Sequence, residues 1–334
     1  MCQNHYLCSV MCANRNLTLI INPISGTVSK RGADRYIERK LSEAGYAVRT
    51  VFTERAGHAH ELAAEAAARG DYGVLACGGD GTINEIASSL VGTDTAMGIV
   101  PMGSGNGLAR HIGIPVDLHR SLKVIKEDHI VACDYGTANG VPFFCTFGVG
   151  FDAAVSDRFA RQGQRGLITY LKSTLNEYFH YKPDEYTIEV AGRVITQKAF
   201  LVVCCNASQY GNNAFIAPDA SIRDGILDIT IVRPGNALTR AMVGIDMLAG
   251  FIGSNALVET LGVSQAVIHR SKPGPAHIDG DPVQMGADIT VECHHAKLKV
   301  FATSHKSPFI PFITPIVLLC KGIGLAIARR FERN

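Results

Sequence analysis

Along the first 125 residues, short apolar runs alternate with segments whose apolar positions recur at helical spacing. Residues 17–22 predict a first strand, and 32–45 predict a helix, with Ile37 and Leu41 four apart and Gly45 as its stop. Strands over 46–52, 72–77 and 96–100 and helices over 58–69 and 82–90 continue the alternation, and a further helix follows 103–107. Such alternation predicts a parallel sheet with helices on its faces, because parallel neighbours need a crossover connection. After about residue 128 the pattern changes. Asn139-Gly140 between apolar runs is the signature of a tight hairpin. Strands are expected over 186–190, 194–205, 226–232, 265–269, 289–293 and 298–302, with helices over 152–161 and 167–179. The fold class is therefore α/β followed by β: a parallel-sheet domain, then a mainly antiparallel sandwich or open barrel.

The C-terminal stretch differs again. Pro308, Pro311 and Pro315 punctuate it, and 316–331 reads as an apolar helix with a basic end. A spanning helix needs about 20 apolar residues, and this one is interrupted by Lys321, Gly322 and Gly324. The expectation is a terminal helix docked on the first domain. Its alternative is an interfacial helix that turns Lys321, Arg329 and Arg330 to anionic head groups. The organisation is thus an extension over 1–16, an α/β domain over 17–127, a β-sandwich over 128–306 and a terminal helix over 307–334.

Composition narrows the partners. Over 334 residues, 32 Lys and Arg against 30 Asp and Glu leave a net charge of +2, which argues against nucleic acid as a partner. The 10 cysteines include no CxxC pair and are scattered through a chain too long to need staples, so a reducing compartment fits. Cys2, Cys8 and Cys12 lie in a polar stretch with no apolar core of a secretory signal. The expected location is cytoplasmic.

Three glycine-rich turns follow three strands of the first half. They are Asn22-Pro23-Ile24-Ser25-Gly26, then Gly78-Gly79-Asp80-Gly81-Thr82-Ile83-Asn84-Glu85, then Pro101-Met102-Gly103-Ser104-Gly105-Asn106-Gly107. In an open α/β sheet all three lie at the carboxyl edge, where ligands bind. Glycine lets backbone N–H groups approach phosphate oxygens, and the helix N-termini that follow favour anions. A plainer account of the second turn is a capping box, with Thr82 as N-cap and Glu85 three residues on. The third lacks the last glycine of a dinucleotide fingerprint. Only together do the three turns point to a phosphate site.

In this order the motifs resemble the catalytic domain of the diacylglycerol kinase-like lipid kinases. The resemblance continues through Phe147-Gly148-Val149-Gly150-Phe151-Asp152-Ala153, through 217–225 with Leu227-Asp228, and through Ile278-Asp279-Gly280-Asp281. It implies an ATP-binding α/β domain, a lipid-binding β-sandwich, ATP and Mg²⁺ as cofactors, and a membrane lipid as acceptor at the inner membrane face. It implies ATP contacts at Asn22, Pro23, Ile24, Ser25, Gly26, Thr53, Gly79, Asp80, Gly81, Thr82, Ile83, Asn84, Glu85 and Ser104. It also implies a structural Mg²⁺ site at Ser221, Asp224 and the backbone of Ile226. Asp80 would help position phosphate and metal, and Asp281 falls where the family has a glutamate proposed as proton acceptor.

Asp281 is one methylene shorter than that glutamate, Gly107 stands where many bacterial members have aspartate, and Cys145 where they often have asparagine. The Ser104-Gly105-Asn106 loop is closer to sphingoid-base kinases. The implied reaction is γ-phosphate transfer from ATP to a lipid hydroxyl, with diacylglycerol as first acceptor. Its alternatives are a sphingoid-base kinase, an NAD kinase and a non-catalytic lipid-binding pseudokinase; an oligomer is compatible with each. His58 with His60, and His294 with His295, read as surface or hairpin residues rather than metal ligands, and Arg158, Arg161 and Arg165 as a solvated basic face. The stretch Tyr210-Gly211-Asn212-Asn213 reads as a loop, either near the lipid entrance or merely turning the chain.

Overall fold

A computed structural model describes residues 15–25, 32–161 and 181–303 of the chain. Gly26, Arg165, the expected helix over 167–179, the N-terminal cysteines and the terminal helix over 307–334 lie outside the described residues.

The first half alternates as expected: β1 (Asn16–Ile21), α1 (Ala33–Ser42), β2 (Ala47–Phe52), α2 (His58–Ala68), β3 (Gly73–Gly78), α3 (Asp80–Leu90), β4 (Ala96–Pro101), α4 (Gly107–His111) and α5 (Leu118–Lys126). The strands run parallel in the order β2-β1-β3-β4. Every residue of β3 and β4 is buried, which is why both read as unbroken apolar runs. Helix α1 turns Ile37 and Leu41 into the core, as their spacing requires.

The second half holds β5 (Ile130–Ala138), β6 (Val141–Phe143), β7 (Thr146–Gly150), α6 (Phe151–Arg161), β8 (Asp184–Val190), β9 (Arg193–Ala199), β10 (Leu201–Cys205) and β11 (Leu227–Val232). A helix designated α7 (Ala237–Ala249) follows, then β12 (Val258–Val263), β13 (Gln265–Arg270), β14 (Gly274–Ile278), β15 (Asp281–Met285) and β16 (Asp288–Phe301). One antiparallel sheet has the order β12-β11-β10-β7-β14-β15. It packs on β13, β8 and β16 around a core that includes Phe143, Phe147, Ile229, Ile268 and Val291. The predicted hairpin joins β5 to β6, with Asn139 and Gly140 both at positive φ, 47° and 80°.

The two halves share a sheet. Strand β16 pairs antiparallel with β13 and β5 and, at Val300 opposite Met97, parallel with β4. The segments 289–293 and 298–302, expected as two strands, are this one strand, interrupted by a register shift between His294 and Leu298. The shift is held by Asp134, a buried carboxylate that accepts from the Ala296 amide at 2.7 Å and pairs with His295 at 2.8 Å. Conversely, the run 194–205 is two strands: the chain leaves one sheet at Ala199 and enters the other at Leu201.

Candidate active site

Strands β1, β3 and β4 are neighbours, so their three following turns meet at one edge. Asn22 donates its side-chain amide to Thr82 Oγ1 at 3.1 Å, and its carbonyl accepts from the Ser25 amide. The Met102 amide donates to Gly78 O at 2.8 Å, and a Cβ built on Gly103 would stand 2.5 Å from Gly79 Cα. The second and third turns are therefore in backbone contact, a packing only glycine permits.

Asp80 braces the third turn. Its Oδ2 accepts from the Asn106 amide at 2.9 Å and its Oδ1 from the Gly107 amide at 2.8 Å. Burial raises its pKa, with these amides pulling the other way and Asp279 adding repulsion. Asn106, part of the third turn's motif but with no role assigned from sequence, adopts φ 53° and closes the same turn, exchanging side-chain hydrogen bonds with the Gly103 amide and carbonyl.

The capping-box reading of Thr82 is corrected. Helix α3 starts earlier, at Asp80 behind Gly79, and Thr82 is buried within its first turn. Glu85 instead reaches α2, where its two oxygens accept from the Gly57 and Ala59 amides at 2.9 and 3.1 Å. The free amides of that neighbouring helix end draw the carboxylate away. Ile83 turns its side chain into the core and gives its amide to Gly79 O. Pro23, Ile24 and Ser104 are exposed at the rim, and Thr53 lies half-buried at the end of β2, its amide on Ile21 O.

The β14–β15 hairpin brings a second pair of carboxylates to this edge. Asp279 and Gly280 form its turn at φ 49° and 91°. The Asp279 carboxylate accepts from the amides of Phe144, Cys145 and Thr146 and from Asn84 Nδ2 on α3. Two residues on, Asp281 Oδ2 lies 3.4 Å from the position a Cβ on Gly81 would take. Asp281 as a whole is exposed, with one carboxylate oxygen held close to Gly81. Partial desolvation raises its pKa, and Asp279, Asp80 and Glu85 add to the rise.

Tyr210, Gly211, Asn212 and Asn213 buttress the third turn rather than merely reversing the chain. Asn212 donates its amide to Gly105 O at 3.3 Å, and Arg110 ties Gly105 O to Asn213 Oδ1. Tyr210 donates its hydroxyl to Asp152 Oδ2 at 2.9 Å, which also meets buried His277 Nε2 at 2.9 Å. Gly148 leaves room for that pair, since a Cβ there would stand 2.3 Å from His277 Nε2.

Ser221, Asp224 and Ile226 lie in the loop entering β11, where Asp224 Oδ1 accepts from the Ile226 amide at 3.1 Å. Desolvation raises the pKa of nearby Asp228, and Asp224 and Asp219 add repulsion. A hydroxyl, mutually repelling carboxylates and a main-chain carbonyl are hard oxygen donors, the chemistry Mg²⁺ takes. Among the described residues no three His, Cys, Asp or Glu side chains converge as a metal site. His294 stacks on Tyr135, His295 pairs with Asp134, and His58 accepts from the Glu54 amide. Arg161 pairs with Asp157.

The family model described as Diacylglycerol kinase catalytic domain matches residues 16–138, and that described as YegS C-terminal NAD kinase beta sandwich-like domain matches 145–302. A Chromohalobacter salexigens protein named "Probable lipid kinase YegS-like" is 30% identical over 254 residues, 73% of this chain and 80% of its own. A Bacillus subtilis protein named "Diacylglycerol kinase" is 29% identical over 223 residues, 65% of this chain and 74% of its own. A solved structure described as a diacylglycerol kinase from Bacillus anthracis has a TM-score of 0.68 at 18% identity, over 87% of this chain and 97% of that one, a likeness of fold. With both halves matched in order and the glycine-rich turns meeting at one edge, the chain belongs to the diacylglycerol kinase-like lipid kinase family, ATP-using phosphotransferases with an alcohol group as acceptor.

Proposed function

We propose that this kinase transfers the γ-phosphate of ATP to the hydroxyl of diacylglycerol, with Mg²⁺, while peripherally attached to the inner membrane face. The observation that carries the reading is the placement of Asp281 beside Gly81, which brings a carboxylate from the β-sandwich to the start of helix α3. Phosphoryl transfer needs positioning and charge neutralisation more than covalent chemistry. The amides of the glycine-rich turns hold phosphate oxygens, and the α3 N-terminus adds its dipole. Mg²⁺, held with help from Asp80, would supply charge neutralisation when bound; Ser221, Asp224 and the backbone of Ile226 would hold a separate structural ion. Asp281 accepts the acceptor hydroxyl's proton, helped by the rise in its pKa that partial desolvation and the neighbouring carboxylates produce. Asp80 keeps the third turn in register rather than reacting.

The test is transfer from γ-labelled ATP to a panel of diacylglycerol, a sphingoid base, ceramide, phosphatidylglycerol and NAD, with Asp281→Asn alongside. Labelled diacylglycerol that disappears in the variant and on chelation is the expected result. Label on the sphingoid base or on NAD instead overturns the acceptor, and label that survives Asp281→Asn overturns the base. No label at all, with nucleotide bound, overturns the kinase reading of this chain.

A further inference from the structure

Helix α7 is apolar on both faces: Val243, Met247 and Ala249 face the core, and a second apolar stripe turns outward. Its large apolar side chains Leu238, Met242, Ile245 and Leu248 are 73%, 41%, 43% and 46% exposed, and they fall within about a third of the helix circumference. The remaining exposed positions are Ala237, Thr239 and Ala241, so the outward face carries no charge. The two charged residues of the helix turn inward: Arg240 sits 5.0 Å over the Phe200 ring, and Asp246 is buried against Asn255 Nδ2 at 2.8 Å. A surface helix ordinarily has the opposite arrangement. The ends are fixed, since the Asn236 side chain accepts from the Thr239 amide and Gly250 closes the helix at φ 75°. The stripe is therefore a preformed surface, and solitary exposed apolar residues would need no such account.

We infer that this face of α7 is a membrane-docking surface, lying in the interface of an anionic bilayer. The inference rests on the lipid-kinase reading, because an acceptor with acyl chains has to be met at a bilayer. Charge supports the same occupant. No acidic side chain on the outward face opposes lipid phosphates. Thirteen residues make a helix about 20 Å long, enough to lie in the head-group plane without crossing it. Position supports it too. The Phe215 amide donates to Met247 O at 3.0 Å, and the loop before Phe215 bonds the third glycine-rich turn through Asn212 and Gly105. A bilayer on α7 thus bears on the element that buttresses the nucleotide turns.

The chain has no tryptophan, so Met242→Trp gives a single reporter on the stripe. Without lipid the full-length variant is expected to emit as a water-exposed indole. With vesicles of phosphatidylglycerol and phosphatidylcholine its emission shifts to the blue and is quenched by brominated acyl chains. In the same vesicles Ile245→Asp with Leu248→Asp lowers the partition coefficient about tenfold or more, with an unchanged thermal melt as the check on folding. Emission that vesicles do not move overturns the inference. If it is already blue and independent of protein concentration, a segment of this chain covers the stripe; if it turns red on dilution, a second copy does. None of these readouts uses phosphate transfer, so failure here is separate from failure of the kinase reading.

Discussion

Asn84 and Asp279 stand 195 positions apart in the chain and are joined by a 2.8 Å hydrogen bond from Nδ2 to Oδ2. Asn84 lies on the helix that begins with Asp80, and Asp279 lies two residues before Asp281. The bond therefore sets how far Asp281 stands from the glycine-rich turns. Asn84→Ala is expected to cost about 1.5–3 kcal/mol in urea unfolding, as for a hydrogen bond to a charged acceptor. It also lowers kcat/KM at least about tenfold through misplacement of Asp281. An unchanged kcat/KM would show that Asp279 holds its turn with the three main-chain amides alone.

The raised pKa of Asp281 fixes the sign of two pH effects. The ionised form is penalised in the folded protein, so the penalty is complete above the raised value and absent below the ordinary 3.8. Asp281→Asn should therefore melt higher than the parent at pH 7, and that advantage should fade as the pH drops toward 3.8. The acid limb of kcat/KM for the parent should be displaced upward from that of an unperturbed aspartate, with Asp281→Asn at least about a hundredfold slower. A melt of Asp281→Asn equal to the parent's at every pH would contradict the crowding argument.

Contact between Gly79 and Gly103 leaves no room for a methyl group. Gly103→Ala would drive a Cβ to 2.5 Å from Gly79 Cα, backbone that cannot rotate away. The turns must separate, at an expected cost of about 1–3 kcal/mol. ATP affinity, measured by calorimetry, should fall about tenfold or more, with the pairing of β3 and β4 intact by hydrogen exchange.

Glu85 stabilises a helix it does not belong to. Glu85→Ala strips the acceptor from the Gly57 and Ala59 amides and should cost about 1–2 kcal/mol. Faster amide exchange should be confined to the start of α2. Faster exchange at the start of α3 instead would restore the capping-box reading.

What the sequence disclosed follows from where the donors lie. The glycine-rich turns were legible because each sits between an apolar run and a helix, a pattern local to about ten residues. Asp279 was quoted in its motif but given no role, since three of its four partners are main-chain amides, which leave no signature in residue identity. Thr82 and Glu85 matched a local rule, yet α2 competed for the same carboxylate from 26 and 28 positions away. Strand limits failed at Phe200 and at Ala296, where the chain changes sheets or bulges without losing its apolar character. Helix α7 went unrecognised because its outward face is apolar and so shows no polar period.

Strand β16 also has a consequence for synthesis. The outer edge of β4 is completed by Val300, some two hundred residues after Met97 leaves the ribosome. Until then the nascent parallel-sheet half carries an open edge of main-chain donors and acceptors, a template for mispairing. Long-range closure of this kind folds slowly. A chain stopped before residue 288 would keep the glycine-rich turns and lack the strand that seals their sheet, so it should aggregate rather than persist as a smaller folded protein. The parallel-sheet half is thus completed by a strand of the half that follows it.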